Sequence, residues 1–414
     1  MKKILSVLLV LCLAASMVFA GGSSDKTADG KTKVRLALWD YDAPGEGWQP
    51  VMEACMAANP DIELEIISAS ASDYETKLTT MLASGDDIDL FFAKSNTSYP
   101  TVVEMGFAKD LNPIIAKKGY DVTPYGTVLK QHYEIDGGLY ALPYRINDWV
   151  IFYNKDLFDA AGVEYPTHQM TWEDLLELAS KVSDGNGVYG FAFVPKNSFI
   201  TPAVVGAVDG FDLATSDFKD LIPASEAVKQ AMKDGVWEDF AESKSLSKSQ
   251  TTFFLGYWAM LYDGSWMGAQ NNNNNVPFEW GIVKSPYWAG TEKNGFATST
   301  PLLMNAKTKN EEAAWQILTW ICGAPGAQEV AKSQLVPGYM TDETMDIFRE
   351  ATGLDDDSMY ALTDNVTYAL GEATPLLGKL NDALNQEFEL YLTDNQSAEE
   401  MAAALEKRRA EILR

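Results

Sequence analysis

The 414-residue chain predicts an α/β fold, with parallel sheets flanked by helices, on three observations. Short runs rich in β-branched and aromatic residues alternate with segments whose apolar residues recur at helical spacing. That alternation is the pattern of βαβ units. The length, with 46% of residues hydrophobic, also suits two or three domains.

Taken in order, residues 1–20 read as a signal peptide. Lys2 and Lys3 precede an apolar run over residues 4–13, and Val18-Phe19-Ala20 supplies the small residues of a cleavage site. A membrane anchor would need about 20 apolar residues, and here Gly21-Gly22-Ser23-Ser24-Asp25 follows instead. Cys12 after Leu11 leaves too little apolar chain upstream for a lipid-attachment site, although a cell-surface lipid anchor is the alternative to a free periplasmic form. Residues 21–32 read as a flexible linker, and the chain beyond it as soluble.

Strands are expected at residues 34–39, 62–68 and 89–93, with helices at 49–58 and 74–84 between them. Ligands collect at the carboxyl ends of such strands. A second region follows, with a strand at 150–154 and helices at 155–161 and 172–183, the latter capped by Thr171 with Asp174 three residues on. Further strands are expected at 189–193, 259–262 and 280–283, a helix capped by Asn310 runs to Cys322, and residues 375–414 read as two helices. The tract 271–275, five asparagines with a fully polar character, reads as a solvated loop.

The formal net charge of −27 argues against nucleic acid or anionic lipid as a partner. Cys55 and Cys322 lie in apolar helical patterns that suit buried free thiols, with a disulfide between them, as an even pair in an exported chain allows, as the alternative. His132 and His168 are the only histidines, and neither has a second ligand at metal-binding spacing, so no metal or cofactor is expected. The clusters Asp86-Asp87 with Asp89, and Asp355-Asp356-Asp357, lack the spacing of a calcium loop and read as solvated turns.

Three groups of motifs carry more. Gly138-Leu139-Tyr140-Ala141-Leu142-Pro143-Tyr144 runs into Arg145 to Trp149 and then Val150-Ile151-Phe152-Tyr153-Asn154-Lys155-Asp156-Leu157-Phe158, followed by Ala161-Gly162-Val163 and Thr171-Trp172-Glu173-Asp174-Leu175. Ala259-Met260 precedes Asp263-Gly264-Ser265-Trp266, Gly281-Ile282-Val283 and Ser285-Pro286. Gly295, Pro301 and Met304 lead to the helix at Asn310 with Trp315, Trp320 and Ile321. In these, over residues 33–340, the chain resembles the family-1 extracellular solute-binding proteins, the sugar-binding components of bacterial ABC importers.

The resemblance implies a two-lobed periplasmic-binding-protein-like (type II) fold with hinge crossovers and a ligand cleft between the lobes. It implies crossings near residues 143–147, 297–301 and 337–343, and lobes of 33–143 plus 301–340 and of 144–300 plus 341–414. It also implies a monomer that binds a mono- or oligosaccharide and delivers it to the transmembrane permease subunits of an importer.

A sugar offers a ring face of C–H groups and an edge of hydroxyls, so its site needs flat aromatics and polar side chains. Trp266 matches the family position that stacks on the sugar. Trp39 and Asp40 end the first strand, Ser95 and Asn96 follow the third, and Arg145, Asn147, Asp148 and Trp149 lie at the first crossing, with Asn147 at a position that is often acidic in the family. Trp258, Trp288 and Tyr339, with Tyr257, are further aromatic candidates, each with a core residue as its alternative reading. The rival functions are binding of a polyamine or other small polar solute, a sensor feeding a receptor and, more remotely, a glycoside hydrolase, which would need two opposed carboxylic acids that no motif singles out.

Overall fold

One strand organises the molecule. In the computed structural model, described over residues 30–43, 46–94, 98–126, 128–185, 187–291, 296–363 and 376–414, β6 runs from Ala141 to Asn154 and is buried along its whole length. Before it come β1 (Thr32–Trp39), β2 (Ile62–Ala69), β3 (Leu90–Phe92) and a hairpin of β4 (Glu134–Ile135) and β5 (Gly138–Leu139). After it come β7 (Ala192–Phe193), β8 (Met260–Gly264), β9 (Trp280–Lys284) and β10 (Ala297–Met304). Eight strands form a mixed sheet in the order β2-β1-β3-β10-β6-β8-β7, with β9 paired to β6. The signal peptide, most of the linker, Ser95, Asn96 and Pro375 lie outside the described residues.

The first two βαβ units form as expected. β1 runs parallel to β2 and β3, joined by helices α1 (Trp48–Ala58) and α2 (Tyr74–Ser84). A short helix α3 (Tyr99–Glu104) follows β3. Past β6 come α4 (Lys155–Ala161), α5 (Trp172–Val182), α6 (Met267–Asn273), α7 (Glu311–Cys322), α8 (Ala324–Lys332), α9 (Leu377–Leu392) and α10 (Ala398–Ile412). Among the described residues no helix is long and apolar enough to cross a membrane.

The first half of β6 pairs antiparallel with β10 over Ala141 to Asp148, and the second half with β8 and β9 over Trp149 to Asn154. Sequence reading expected a strand only over 150–154. The missed half contains Pro143, which cannot donate to a ladder, and the polar Arg145, Asn147 and Asp148, which break the apolar run. Pro143 faces Pro301 where the register shifts between Thr300 and Pro301, and such a bulge is where a ladder tolerates proline. The third crossing segment joins them, since Pro337 bridges Arg145, while Ile146 donates to the Val336 carbonyl at 3.0 Å and Gly338 to that of Tyr144 at 3.0 Å.

Thr171 and Asp174 close a capping box on α5, each main-chain N–H donating to the other's side chain at 2.9 and 3.0 Å. Asn310 stands at the N-cap of α7 but caps nothing with its side chain. Its amide donates instead to the Lys33 carbonyl at 3.0 Å and to Asp89 at 3.4 Å. The asparagine tract is also corrected. Asn271 to Asn273 belong to α6, with Asn271 fully buried, because Met267 and Ala269 pack into the core and draw that face of the helix inward. Asn273 to Asn275 are exposed, as expected for the end of the tract, and Asn275 takes a left-handed φ of 48°.

The core forms three clusters. One gathers Leu36, Phe91, Leu303 and Leu318, a second Ile151, Trp172, Tyr262 and Phe388, and a third Phe152, Trp258, Ile282 and Phe348. Trp266 packs against all three. Cys55 and Cys322 are buried free thiols in the first cluster, and burial pushes the Cys55 pKa up to about 12.

Candidate functional site

The carboxyl ends of β1, β2 and β3 are tied to one another by polar side chains. Asp40 takes a left-handed φ of 41° and turns its carboxylate to accept from the Ala71 N–H at 2.9 Å, while its own N–H donates to the Ala69 carbonyl at 2.9 Å. Lys94, just past β3, donates to the Ala71 carbonyl at 2.7 Å and lies 5.8 Å above the Trp39 ring. Trp39 is buried edge-on against Trp48, ring centroids 5.1 Å apart. Asp40 and Lys94 thus hold a loop, and Trp39 backs an aromatic wall.

Trp48, the first residue of α1, extends that wall by stacking on Tyr144 of β6 at 4.8 Å and 17°. Gly47 before it has a left-handed φ of 72°, which favours glycine, and packs close to the Leu335 side chain. This turn presents Glu46 to Arg145. The guanidinium donates to the Glu46 carboxylate at 3.0 Å, to the Glu46 carbonyl at 3.3 Å and to Thr300 Oγ1 at 3.3 Å, and lies 5.7 Å from the Trp48 ring.

The floor is therefore the paired β6 and β10. Asn147 donates to Thr300 Oγ1 at 3.4 Å; it is 5% exposed and its Oδ1 has no hydrogen-bond partner among the described residues. Whichever way the amide is turned, one end remains open, and a buried open amide costs free energy until something binds it. Asp148, also buried, carries a carbonyl that accepts from Ser265 N–H at 2.7 Å.

On the far side, Trp149 meets Trp266 edge to face at 5.6 Å and 87°. Trp266 folds back over Gly264, where an added Cβ would sit 1.9 Å from the indole; only glycine lets the ring lie there. Asp263 supports this turn by accepting from Gly264 N–H at 2.7 Å and from Gln250 at 3.1 Å. Complete burial raises its pKa to about 7.

The remaining candidates lie elsewhere. Trp258 is fully buried and donates to Glu238 at 2.8 Å, and Trp288 is buried and donates to the Ala203 carbonyl at 2.7 Å, so both indoles are satisfied within the core. Tyr339 is half-buried edge-on to Tyr125 at 5.2 Å, and Tyr257 is exposed. Sequence reading missed Glu46, Trp48 and Thr300. Trp48 carried a local signal as an aromatic at a helix start after the first strand, whereas Glu46 and Arg145 lie 99 residues apart and nothing local joins them.

A cavity of about 420 Å³ is lined by Tyr41, Asp42, Trp48, Gln49, Ser333 and, from α6, Asn273. Another, of about 300 Å³, lies between α2 and the start of α9, with Glu75 and Thr79 opposite Lys379 and Asp382.

Residues 39–328 match the family model described as bacterial extracellular solute-binding protein. The chain belongs to this family. Among relatives, this solute-binding protein is 24% identical over 301 residues to a binding protein of Brucella abortus, covering 70% of this chain and 72% of that one. It is 26% identical over 196 residues to the diacetylchitobiose-binding protein of Streptomyces coelicolor, 45% of each chain. It is 24% identical over 207 residues to an sn-glycerol-3-phosphate-binding periplasmic protein of Agrobacterium fabrum, 45% of this chain and 46% of that one. A crystal structure of a Rhizobium etli sugar transporter in an open conformation superposes with a TM-score of 0.78 at 29% identity, covering 91% of this solute-binding protein and 99% of that chain. The two-lobed α/β fold and the binding-protein family follow from these matches.

Proposed function

We propose that this solute-binding protein takes a carbohydrate into the cleft above the paired β6 and β10 and delivers it to the permease of an ABC importer. The observation that carries this reading is the floor itself, where the Asn147 amide, open at one end, stands on β6 two residues from Trp149, which meets Trp266, and two residues from Arg145, which lies over the Trp48 ring. Indoles suit the ring face of a sugar and a buried amide suits its hydroxyls. The sugar-binding relatives support the same class.

The ligand set of this reading is Asn147, Trp149, Trp266 and Trp39, with Arg145, Asp40 and Asp148 beside them; Ser95, Asn96 and Tyr339 stay in the reading on the sequence alone. Trp258 and Trp288 are left to the core. In this reading the lobes divide as 33–143 with 301–340 and 144–300 with 341–414. Ligand favours the closed arrangement because both lobes then contact it. The protein acts as an exported monomer, released from residues 1–20, and as a carrier without catalysis. Asp40 and Glu46 are each engaged by main-chain or guanidinium donors, which does not suit a pair of hydrolytic carboxylic acids.

The experiment is a thermal-shift panel of oligosaccharides, polyamines and organic acids, followed by calorimetry. A ligand of the folded state raises the melting temperature. Trp266→Ala should weaken sugar binding by about tenfold or more, roughly 1.4 kcal/mol, with an unchanged circular dichroism spectrum. An unchanged dissociation constant would remove Trp266 from the site.

A further inference from the structure

Two basic groups stand over the aromatic wall, Arg145 above Trp48 and Lys94 above Trp39. Either would attract an anionic ligand, but only Arg145 is paired with a carboxylate, whereas Lys94 is held by a neutral carbonyl. Lys94 donates to the Ala71 carbonyl at 2.7 Å. Arg145 gives one terminal nitrogen to the Glu46 carboxylate, the other to the Glu46 carbonyl, and its Nε to Thr300. Recognition of a phosphate ester by arginine relies on parallel N–H donors facing two oxygens, and Glu46 already takes both terminal nitrogens. The Arg145 side chain is 7% exposed and that of Glu46 23%, so the carboxylate is the outer member of the pair. Gly47, left-handed and packed against Leu335 and Ser333, fixes the turn that presents it.

We infer that Glu46 sets the charge specificity of the site: by occupying the Arg145 guanidinium it withdraws that cation from ligands, which favours an uncharged sugar over phosphate esters. This rests on the carbohydrate reading and adds the residue that separates neutral from anionic solutes. An uncharged hydroxyl bound at Asn147 needs no counter-charge. A phosphate there would meet the Glu46 carboxylate with the Arg145 charge already paired, and like charges at close range in a poorly hydrated site repel strongly.

The test compares the wild-type mature chain with Glu46→Gln by calorimetry at low salt. The probes are glycerol 3-phosphate and inorganic phosphate as anions, with maltose, galactobiose and diacetylchitobiose as neutral sugars. Glu46→Gln is expected to gain affinity for glycerol 3-phosphate by roughly tenfold or more, the scale of a charge-assisted contact, with the gain falling as salt is added. Adding Arg145→Gln should abolish it. If the unpaired guanidinium destabilises Glu46→Gln, glycerol 3-phosphate should raise its melting temperature more than that of wild type, so the idea stays testable. Arg145→Gln alone, which frees the Glu46 carboxylate, should instead gain affinity for putrescine.

No gain in anion binding or anion stabilisation by Glu46→Gln overturns the inference, as does wild type binding glycerol 3-phosphate as tightly as the variant does. Failure of every neutral sugar to bind wild type would count against the carbohydrate reading instead, while the anion arm still reports on Glu46.

Discussion

Burial governs the titrating side chains nearest the hinge strands. His132 lies beside Ser299 of β10, its Nδ1 3.1 Å from the hydroxyl, and burial lowers its pKa from 6.5 to about 4. The folded value lies below the unfolded one, so as pH falls past about 6.5 the unfolded chain takes up the proton first. Stability is therefore lost between about pH 6.5 and pH 4 and not further below, with an upper bound near 3 kcal/mol from the size of the shift. Urea denaturation across that range should show the decline, and His132→Gln should flatten it. An equal slope in the variant would assign the decline to other groups. Gly264 is decisive in another way, since its missing side chain is what seats the Trp266 indole.

At the scale of elements, stability is set locally where a cap is complete. Thr171→Ala should cost about 1 kcal/mol, because it removes the acceptor for the Asp174 N–H. A shift in the urea midpoint without a change in its slope checks this, and no shift would mean that solvent replaces the cap without loss. Elements of this kind were legible in the sequence. The helices at 74–84 and 155–161 match their expected bounds, each with clear apolar spacing and a glycine in the left-handed conformation at its end, Gly85 and Gly162. Half of β6 was not legible, because a strand buried on both faces at a crossing carries proline and polar residues in the service of the site. The asparagines of α6 were misread because composition alone ignores the tertiary packing that draws Met267 and Ala269 inward. Of the candidate site, Trp266, Trp149, Asn147 and Arg145 are proposed from motifs. Glu46 could not be, since its meaning depends on a contact made only when the first loop reaches the hinge.

The whole molecule is built so that one sheet serves two halves. β6 and β10 are continuous across the junction, so bending there changes the angle between the halves with little loss of pairing at either end, and Trp266 touches every core cluster at that point. Such a frame suits closure over a solute by small dihedral changes in few residues. The central claim is that a neutral sugar is held between the lobes and favours their closure. Small-angle X-ray scattering of the mature chain, with and without the oligosaccharide that most raises its melting temperature, tests this directly. A smaller radius of gyration is expected in the saturated wild-type sample and none of that change for Trp266→Ala at the same sugar concentration; saturation by calorimetry with an unchanged scattering profile would rule out closure over the sugar.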